Sequence, residues 1–312
     1  MQPEILLVGR MMPHVMEALD KAYVVHRLYE ADDRTAFLDE IGGRVRGIGT
    51  NGHLGADATL IDALPNLEII SCYGVGVDAI DLPHAAQREV IVTNTPDVLN
   101  DDVANMAIAL LLATSRRLCE ADRYVRSGQW LQGDMALTRG IRGRKLGILG
   151  LGRIGKDIAR KAKVFGCEIV YHGRKPQADQ SYPYYDDLVA MARDCDFLVV
   201  ICPGGAATHN LVERTVLDAL GPDGTLINVA RGSVVDEPAL VAALQDGRLG
   251  AAGLDVFADE PRVPETLLAM DNVVLQPHQG SGTIETRRAM GDLVVDNLRA
   301  HFAGKPVLTP VQ

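Results

Sequence analysis

The sequence KLGILGLGRIG, residues 145–155, determines how the rest of the chain is interpreted. Its first five residues have the character of a buried strand, and the residues that follow, KDIARKAKVFG, have that of a helix. Between strand and helix, G-x-G-x-x-G spacing suits a dinucleotide, because the glycines allow a tight turn, close approach of the pyrophosphate and helix–strand packing. A glycine-rich turn without a ligand is the alternative. We expect the cofactor, with its phosphates facing the helix-start amides, to contact Gly150, Gly152, Arg153, Ile154 and Gly155.

Short β-rich runs alternate with helical segments on both sides of this motif. After it come CEIVYHG, FLVVICP, GTLINVA, AAGLDVF and NVVLQPH, and before it EILLVGR, YVVHRLYE, VRGIGTNG, LEIISCYG and VIVTNTP. Continuous apolar strands separated by helix-length spacers predict parallel sheets covered on both faces. The expected fold class is α/β, with two doubly wound parallel-sheet domains.

The position of the motif in mid-chain predicts the domain organisation. A helix is expected from Asp101 to about Ala121, bridging the domains. The amphipathic run TIETRRAMGDLVVDNLRAHFAG predicts one long helix that ends at Gly304 and returns to the first domain. We therefore predict a dinucleotide-binding Rossmann domain at residues 99–285, inserted in a smaller substrate domain of residues 1–98 plus 286–312.

Composition limits the class of protein. The 312 residues carry a formal net charge of −10 without a long basic run, so nucleic acid would be repelled. The longest apolar run, Ala107–Ala113, is too short to cross a bilayer, and five cysteines without a C-x-x-C pair suggest neither disulfides nor zinc. We expect a soluble, cytoplasmic protein with no metal site and no nucleic-acid or membrane partner.

The end of the second strand of the Rossmann domain indicates which dinucleotide is preferred. An NAD enzyme would place Asp or Glu there to bind both ribose hydroxyls, but this chain has His172-Gly173-Arg174-Lys175. Arg174, nineteen residues beyond Gly155, offers the guanidinium that a 2′-phosphate requires. NADP(H) is therefore the expected cofactor, with NAD(H) as the alternative, and an ordinary solvated turn is the other interpretation of this segment. Further cofactor contacts are expected from His172, Gly173, Lys175, Cys202, Pro203, Thr208, Val229, Ala230, Asp255 and Gly280, although Asp255 could equally be a structural cap.

Three later strand ends carry Arg231, Glu260 and His278. Ligands of open α/β sheets bind at the carboxyl ends of the strands. Reduction of a 2-keto acid needs a cation for the substrate carboxylate and carbonyl, which suits Arg231, and a proton donor, which suits His278. Glu260 could accept the other ring N–H and fix the tautomer. Each residue alone has an ordinary structural interpretation, but the three together favour a catalytic site.

The segments GLGRIG, NVARGSVVDE, GLDVFADEP and QPHQGSGT, with YGVGVD at 73–78 and NTPDVL at 94–99, resemble the D-isomer-specific 2-hydroxyacid dehydrogenase family. The resemblance implies that Arg231, Glu260 and His278 are catalytic. It also implies a flavodoxin-like substrate domain in which the Val75 and Gly76 amides bind the substrate carboxylate together with Arg231 and His278.

Two segments, HGRK at 172–175 and PHQGSGTIETRRAM at 277–290, most resemble the NADPH-dependent glyoxylate/hydroxypyruvate and hydroxyphenylpyruvate reductase branch of this family. The family implies a homodimer, with Trp130, Leu131 and Met135 in a segment that can reach the partner's pocket. Asn100 and Asn105 depart from the family pattern, where Thr and an acidic residue are usual. An NAD-specific hydroxyacid dehydrogenase and a non-enzymatic nucleotide-sensing protein on the same fold remain alternatives.

Overall fold

The computed structural model describes residues 2–311, and the chain divides into two units. The first unit comprises Met1–Leu99 and Thr283–Gln312, and the second comprises Asn100–Gly282. The boundaries expected from the sequence, after residue 98 and before residue 286, lie within three residues of these divisions.

The first unit contains a five-stranded parallel sheet in the order β2-β1-β3-β4-β5, which is the flavodoxin-like order. All five strands expected from the sequence are present. The strands are β1 (Glu4–Leu7), β2 (Val24–Arg27), β3 (Val45–Asn51), β4 (Ile69–Tyr73) and β5 (Ile91–Thr93), and the helices between them are α1 (Pro13–Ala22), α2 (Arg34–Ile41), α3 (Ala58–Asp62) and α4 (Leu82–Gln87).

Strand β1 shows why this sheet is covered on both faces. Successive side chains of a strand point to opposite faces, and here Leu6 packs in one apolar cluster whereas Ile5 and Leu7 pack in another. The second cluster includes Val294 and Leu298 of the C-terminal helix, Ile284–Phe302. That helix is continuous, as predicted.

The second unit contains a seven-stranded parallel sheet in the order β12-β11-β10-β9-β6-β7-β8. Its strand order reverses between β6 and β9, as in a Rossmann fold. The six expected strands are all present, and Tyr184–Tyr185 adds a two-residue strand that the sequence did not indicate. The strands are β6 (Lys145–Leu149), β7 (Glu168–His172), β8 (Tyr184–Tyr185), β9 (Phe197–Val200), β10 (Thr225–Asn228), β11 (Ala251–Leu254) and β12 (Val273–Leu275).

The prediction of one helix from Asp101 to Ala121 is wrong in its continuity. The segment forms two helices that are interrupted at Arg117, whose φ of 49° is left-handed and cannot continue a right-handed helix. The first helix is buried on the sheet, whereas the second has no buried residue within the described chain. The helices of the second unit are α5 (Asn100–Ser115), α6 (Leu118–Arg126), α7 (Arg153–Val164), α8 (Leu188–Asp194), α9 (Arg214–Leu220), α10 (Glu237–Gln245) and α11 (Glu265–Leu268), and the C-terminal helix of the first unit is α12.

None of the helices within residues 2–311 is both long and apolar enough to cross a bilayer.

Candidate active site

The turn between β6 and α7 requires two of its three glycines for packing. Gly150 has a φ of +103°, and a Cβ atom there would lie 2.7 Å from the backbone nitrogen of Cys202. A Cβ atom on Gly155 would lie 2.2 Å from the carbonyl oxygen of Gly150. Side chains at these positions would push the turn away from the helix and from the next strand.

Gly152 differs from both, because no packing contact explains it. A Cβ atom there would meet nothing within 4 Å among residues 2–311. Gly152 is the N-cap of α7 and has no side chain with which to cap the first amides of the helix. A helix N-terminus with open space beside its N-cap fits the pyrophosphate of a dinucleotide.

The end of β7 combines a structural histidine with two exposed cations. The Nδ1 atom of His172 lies 2.9 Å from the carbonyl oxygen of Tyr185, so this residue joins β7 to β8. Gly173 is followed by Arg174 and Lys175, which are exposed and form no ion pair within the described part of the chain. Two unpaired cations where a carboxylate would otherwise stand fit a phosphate group.

The loops after β9 and β10 hold further predicted cofactor contacts at the same edge of the sheet. Cys202 is buried beside Gly150, and burial raises the pKa of its thiol to about 11. The Thr208 hydroxyl donates to the Pro203 carbonyl oxygen at 2.7 Å. After β10, Val229 and Ala230 are both buried.

Two residues that the sequence analysis did not assign to the site fix the loop carrying Arg231. The buried Asn228 side chain donates to the Arg231 carbonyl oxygen at 3.0 Å and accepts from the Ala230 amide at 3.1 Å. A Cβ atom on Gly232 would lie 1.9 Å from the carbonyl carbon of Phe257, so the loops after β10 and β11 touch through their backbones. Both residues lie in the NVARG segment, residues 228–232, and this motif is the sequence signal that could have identified them.

Glu260 and His278 meet at the ends of β11 and β12. The Glu260 Oε2 atom lies 2.8 Å from His278 Nδ1, and its Oε1 atom accepts from the Phe257 amide at 3.0 Å. Because a carboxylate can only accept, this contact makes Nδ1 the protonated nitrogen of a neutral ring. His278 has a φ of +54°, an uncommon left-handed conformation for a side chain of this size. Such strained residues cluster at functional sites.

Asp255 supports the loop that carries His278. Its two carboxylate oxygens accept from the amides of Gln279 and Gly280 at 2.6 and 2.7 Å, and its carbonyl oxygen accepts from the His278 amide at 2.9 Å. Burial raises the pKa of Asp255, and the amide hydrogen bonds oppose that rise. These contacts stabilise the loop after β12, and the contact of Asp255 with the cofactor stays a prediction.

Val75 and Gly76 follow β4 in the first unit. Their carbonyl oxygens are occupied, that of Val75 by the Asn94 side-chain amide at 2.9 Å and that of Gly76 by the Cys72 thiol at 3.7 Å. Thr95 fixes the preceding Gly74 through two hydrogen bonds. The amides of Val75 and Gly76 donate to no acceptor among residues 2–311, and two neighbouring amides in a turn can bind an anion.

Comparison with known proteins extends this description. Residues 108–280 match the family model described as D-isomer specific 2-hydroxyacid dehydrogenase, NAD binding domain. Over 307 residues and 98% of each chain, the protein is 51% identical to hydroxyphenylpyruvate reductase of Plectranthus scutellarioides and 50% identical to glyoxylate/hydroxypyruvate reductase A of Arabidopsis thaliana. The crystal structure of an NADPH-dependent glyoxylate/hydroxypyruvate reductase from Sinorhizobium meliloti with NADP and malonate superimposes with a TM-score of 0.94, at 48% identity and covering 100% of this chain and 97% of that chain.

Proposed function

Because the chain belongs to the D-isomer specific 2-hydroxyacid dehydrogenase family, and is thus an oxidoreductase that uses a nicotinamide dinucleotide, we propose that it reduces small 2-keto acids to D-2-hydroxy acids with NADPH. Glyoxylate, hydroxypyruvate and hydroxyphenylpyruvate are the candidate substrates, since the names of close relatives refer to them. The observation that carries the proposal is the 2.8 Å contact between Glu260 Oε2 and His278 Nδ1. This pair lies at the same sheet edge as the glycine turn between β6 and α7.

In this proposal the cofactor, when bound, supplies the hydride, and the side chains of the chain prepare the substrate. Arg231 binds the substrate carboxylate and polarises the carbonyl group. His278 donates a proton from Nε2 to the carbonyl oxygen as it gains charge. Glu260 holds Nδ1–H and stabilises the protonated ring that exists before the transfer. In the first unit, the Val75 and Gly76 amides form a further proposed anion-binding pair, which suits a carboxylate.

The preference for NADPH rests on the exposed cations after β7. The segment Tyr171–Lys175 contains no acidic residue that could bind both ribose hydroxyls, and it contains Arg174 and Lys175. A structurally similar relative, the Sinorhizobium meliloti enzyme, is described as NADPH-dependent and was solved with NADP. An arginine binds a phosphomonoester through two parallel hydrogen bonds.

Replacement of Arg174 by alanine tests this cofactor preference. We expect Arg174→Ala to raise the KM for NADPH by roughly 10- to 100-fold, because a charge-assisted phosphate contact is lost, and to leave the KM for NADH unchanged. Steady-state rates with a panel of 2-keto acids and both cofactors provide the measurement. Arg193→Ala, at another exposed arginine of the second unit, is the control. An NADH efficiency equal to that of NADPH in the unmodified enzyme would refute the preference.

We further propose that the protein is a homodimer formed through the segment after α6. Trp130, Leu131 and Leu137 expose 63%, 93% and 100% of their surfaces, an unusual density of large apolar groups, and Met135 lies among them. Such a patch is typical of an interaction surface. Sedimentation velocity is expected to show twice the 33.6 kDa chain mass, and Leu131→Glu is expected to shift the protein towards monomer. A monomeric unmodified protein at micromolar concentration would refute the proposal.

A further inference from the structure

The loop between β7 and β8 is anchored on both sides of Arg174 and Lys175, which it carries. The Tyr184 hydroxyl donates to the carbonyl oxygen of Gly173 at 3.0 Å. The amide of Gln177 donates to the hydroxyl oxygen of Tyr171 at 2.8 Å, and Tyr171 itself is almost completely buried. The two cations thus lie between two anchored points of the backbone.

The side chain of Gln177 joins this loop to the dinucleotide turn. Its Nε2 atom donates to the carbonyl oxygen of Leu151 at 2.6 Å. Leu151 stands between Gly150 and Gly152, so the hydrogen bond ends inside the turn proposed to bind the pyrophosphate. One side chain therefore connects the two places where phosphate groups of a single NADPH molecule are proposed to bind.

The charges of the loop between β7 and β8 favour binding of an anion beside Arg174 and Lys175. Its acidic residue, Asp179, pairs with Lys156 of α7 at 2.9 Å, and the hydrogen bond from Lys156 holds the pKa of that carboxyl below its usual value. Asp179 thus pairs with Lys156 and, among residues 2–311, with neither Arg174 nor Lys175. Arg174 and Lys175 have no ion-pair partner within residues 2–311, so the net charge they present is positive.

From these contacts we propose that Gln177 and Tyr184 are positioning residues that set the preference for a 2′-phosphorylated cofactor. They keep the Arg174–Lys175 turn at a fixed distance from the pyrophosphate turn, so the site for the phosphomonoester is formed before the cofactor binds. A preformed site loses less conformational entropy on binding than a mobile one. This inference rests on the proposed function, because the 2′-phosphate of NADPH is its ligand.

A purely structural role for the same residues has a different signature. If Gln177 and Tyr184 only kept β8 in the sheet, their loss would lower the thermal stability and weaken every adenine nucleotide alike. A positioning role changes the binding of the 2′-phosphate alone, because the cations contact no other part of the nucleotide in this proposal. The ratio of two affinities therefore separates the two roles.

The experiment uses Tyr184→Phe and Gln177→Met, which remove one hydrogen-bonding group each and keep the size of the side chain. Gln180→Met is the matched control, because Gln180 lies in the same loop but, among residues 2–311, its side chain bonds only to Asp179. Calorimetric titration of the full-length protein with adenosine 2′,5′-bisphosphate and with AMP, which lacks only the 2′-phosphate, gives the dissociation constants, and thermal melting reports the stability. We expect the bisphosphate to bind roughly 3- to 10-fold more weakly to both variants, with AMP binding unchanged.

Each outcome separates this inference from the proposed function. If the unmodified protein binds the bisphosphate no better than AMP, the NADPH preference itself is wrong. If it prefers the bisphosphate and both variants keep that preference, only the inference is wrong. Equal weakening of both ligands, or an equal effect of Gln180→Met, would also overturn it. Because the two variants alter different hydrogen bonds, a folding defect in one leaves the other as the test.

Discussion

The two halves of the sheet edge in the second unit offer different groups to their proposed ligands. The half formed by β6 and β7, here called the cofactor half, offers the backbone to the pyrophosphate: Gly150 and Gly155 permit close packing, and Gly152 leaves open space before the helix, whereas the 2′-phosphate is assigned to the two cations after β7. The half formed by β10, β11 and β12, here called the catalytic half, presents the side chains of the proposed catalytic residues Arg231, Glu260 and His278. A phosphate can be bound by amides, which every residue carries, whereas proton transfer needs one particular side chain at one position.

This difference explains where the buried polar side chains lie. In the catalytic half, Asn228 and Asp255 are exposed by only 1% and 2%, and each accepts or donates backbone hydrogen bonds within the loops that carry Arg231 and His278. Buried polar groups are costly unless they are fully hydrogen-bonded, so their presence marks loops whose geometry must be fixed. In the other half, helix geometry alone fixes the amides.

The largest effect is expected from His278→Ala in the catalytic half. Loss of the proton donor should lower kcat for keto-acid reduction by about 10²- to 10⁴-fold, because no other group can replace general acid catalysis at that position. The dissociation constant for NADPH, measured by fluorescence titration, should stay unchanged because the cofactor half is intact.

The control for this prediction is His84→Ala, since the His84 ring pairs with Asp62 in the first unit and is assigned to neither the cofactor nor the substrate. Near-normal turnover of His278→Ala would remove His278 from the mechanism. A large loss of NADPH affinity in the same variant would instead mean that the two halves do not act separately.

The sequence predicted the cofactor half more completely than the catalytic half. Both sheets, and the glycine turn between β6 and α7, follow from apolar strands and one local motif, which need no knowledge of distant contacts. Strand β8 was missed because two residues carry no periodicity, and the break at Arg117 was missed because a left-handed arginine has no sequence signature. A local motif was therefore enough to predict the turn that is proposed to bind the pyrophosphate.

In the catalytic half the sequence identified candidate side chains but not what positions them. The contact of Gly232 with Phe257 and the cap that Asp255 forms over Gln279 and Gly280 join loops 24 or more residues apart. Contacts over such separations depend on the register of neighbouring strands, which a single sequence does not specify. The hydrogen bonds that Asp255 makes to this loop could therefore not be predicted from the sequence.

Smaller effects are expected from two glycine variants in the cofactor half. They distinguish a glycine that is required for ligand binding from one that is required for packing. Gly155→Ala should lower the free energy of unfolding by about 1–3 kcal/mol, because its Cβ atom would meet the Gly150 carbonyl oxygen. Gly152→Ala should leave stability nearly unchanged, because alanine is slightly worse than glycine as an N-cap but restricts the unfolded chain.

The same Gly152→Ala variant should bind NADPH roughly 10-fold more weakly, because its methyl group would occupy the space in which the pyrophosphate approaches the backbone. Urea denaturation and fluorescence titration measure the two quantities on the same samples. If Gly152→Ala lost stability and kept its affinity for NADPH, both glycines would serve packing. The backbone of this half would then support the fold alone, and the contrast with the catalytic half would lie in stability and not in ligand recognition.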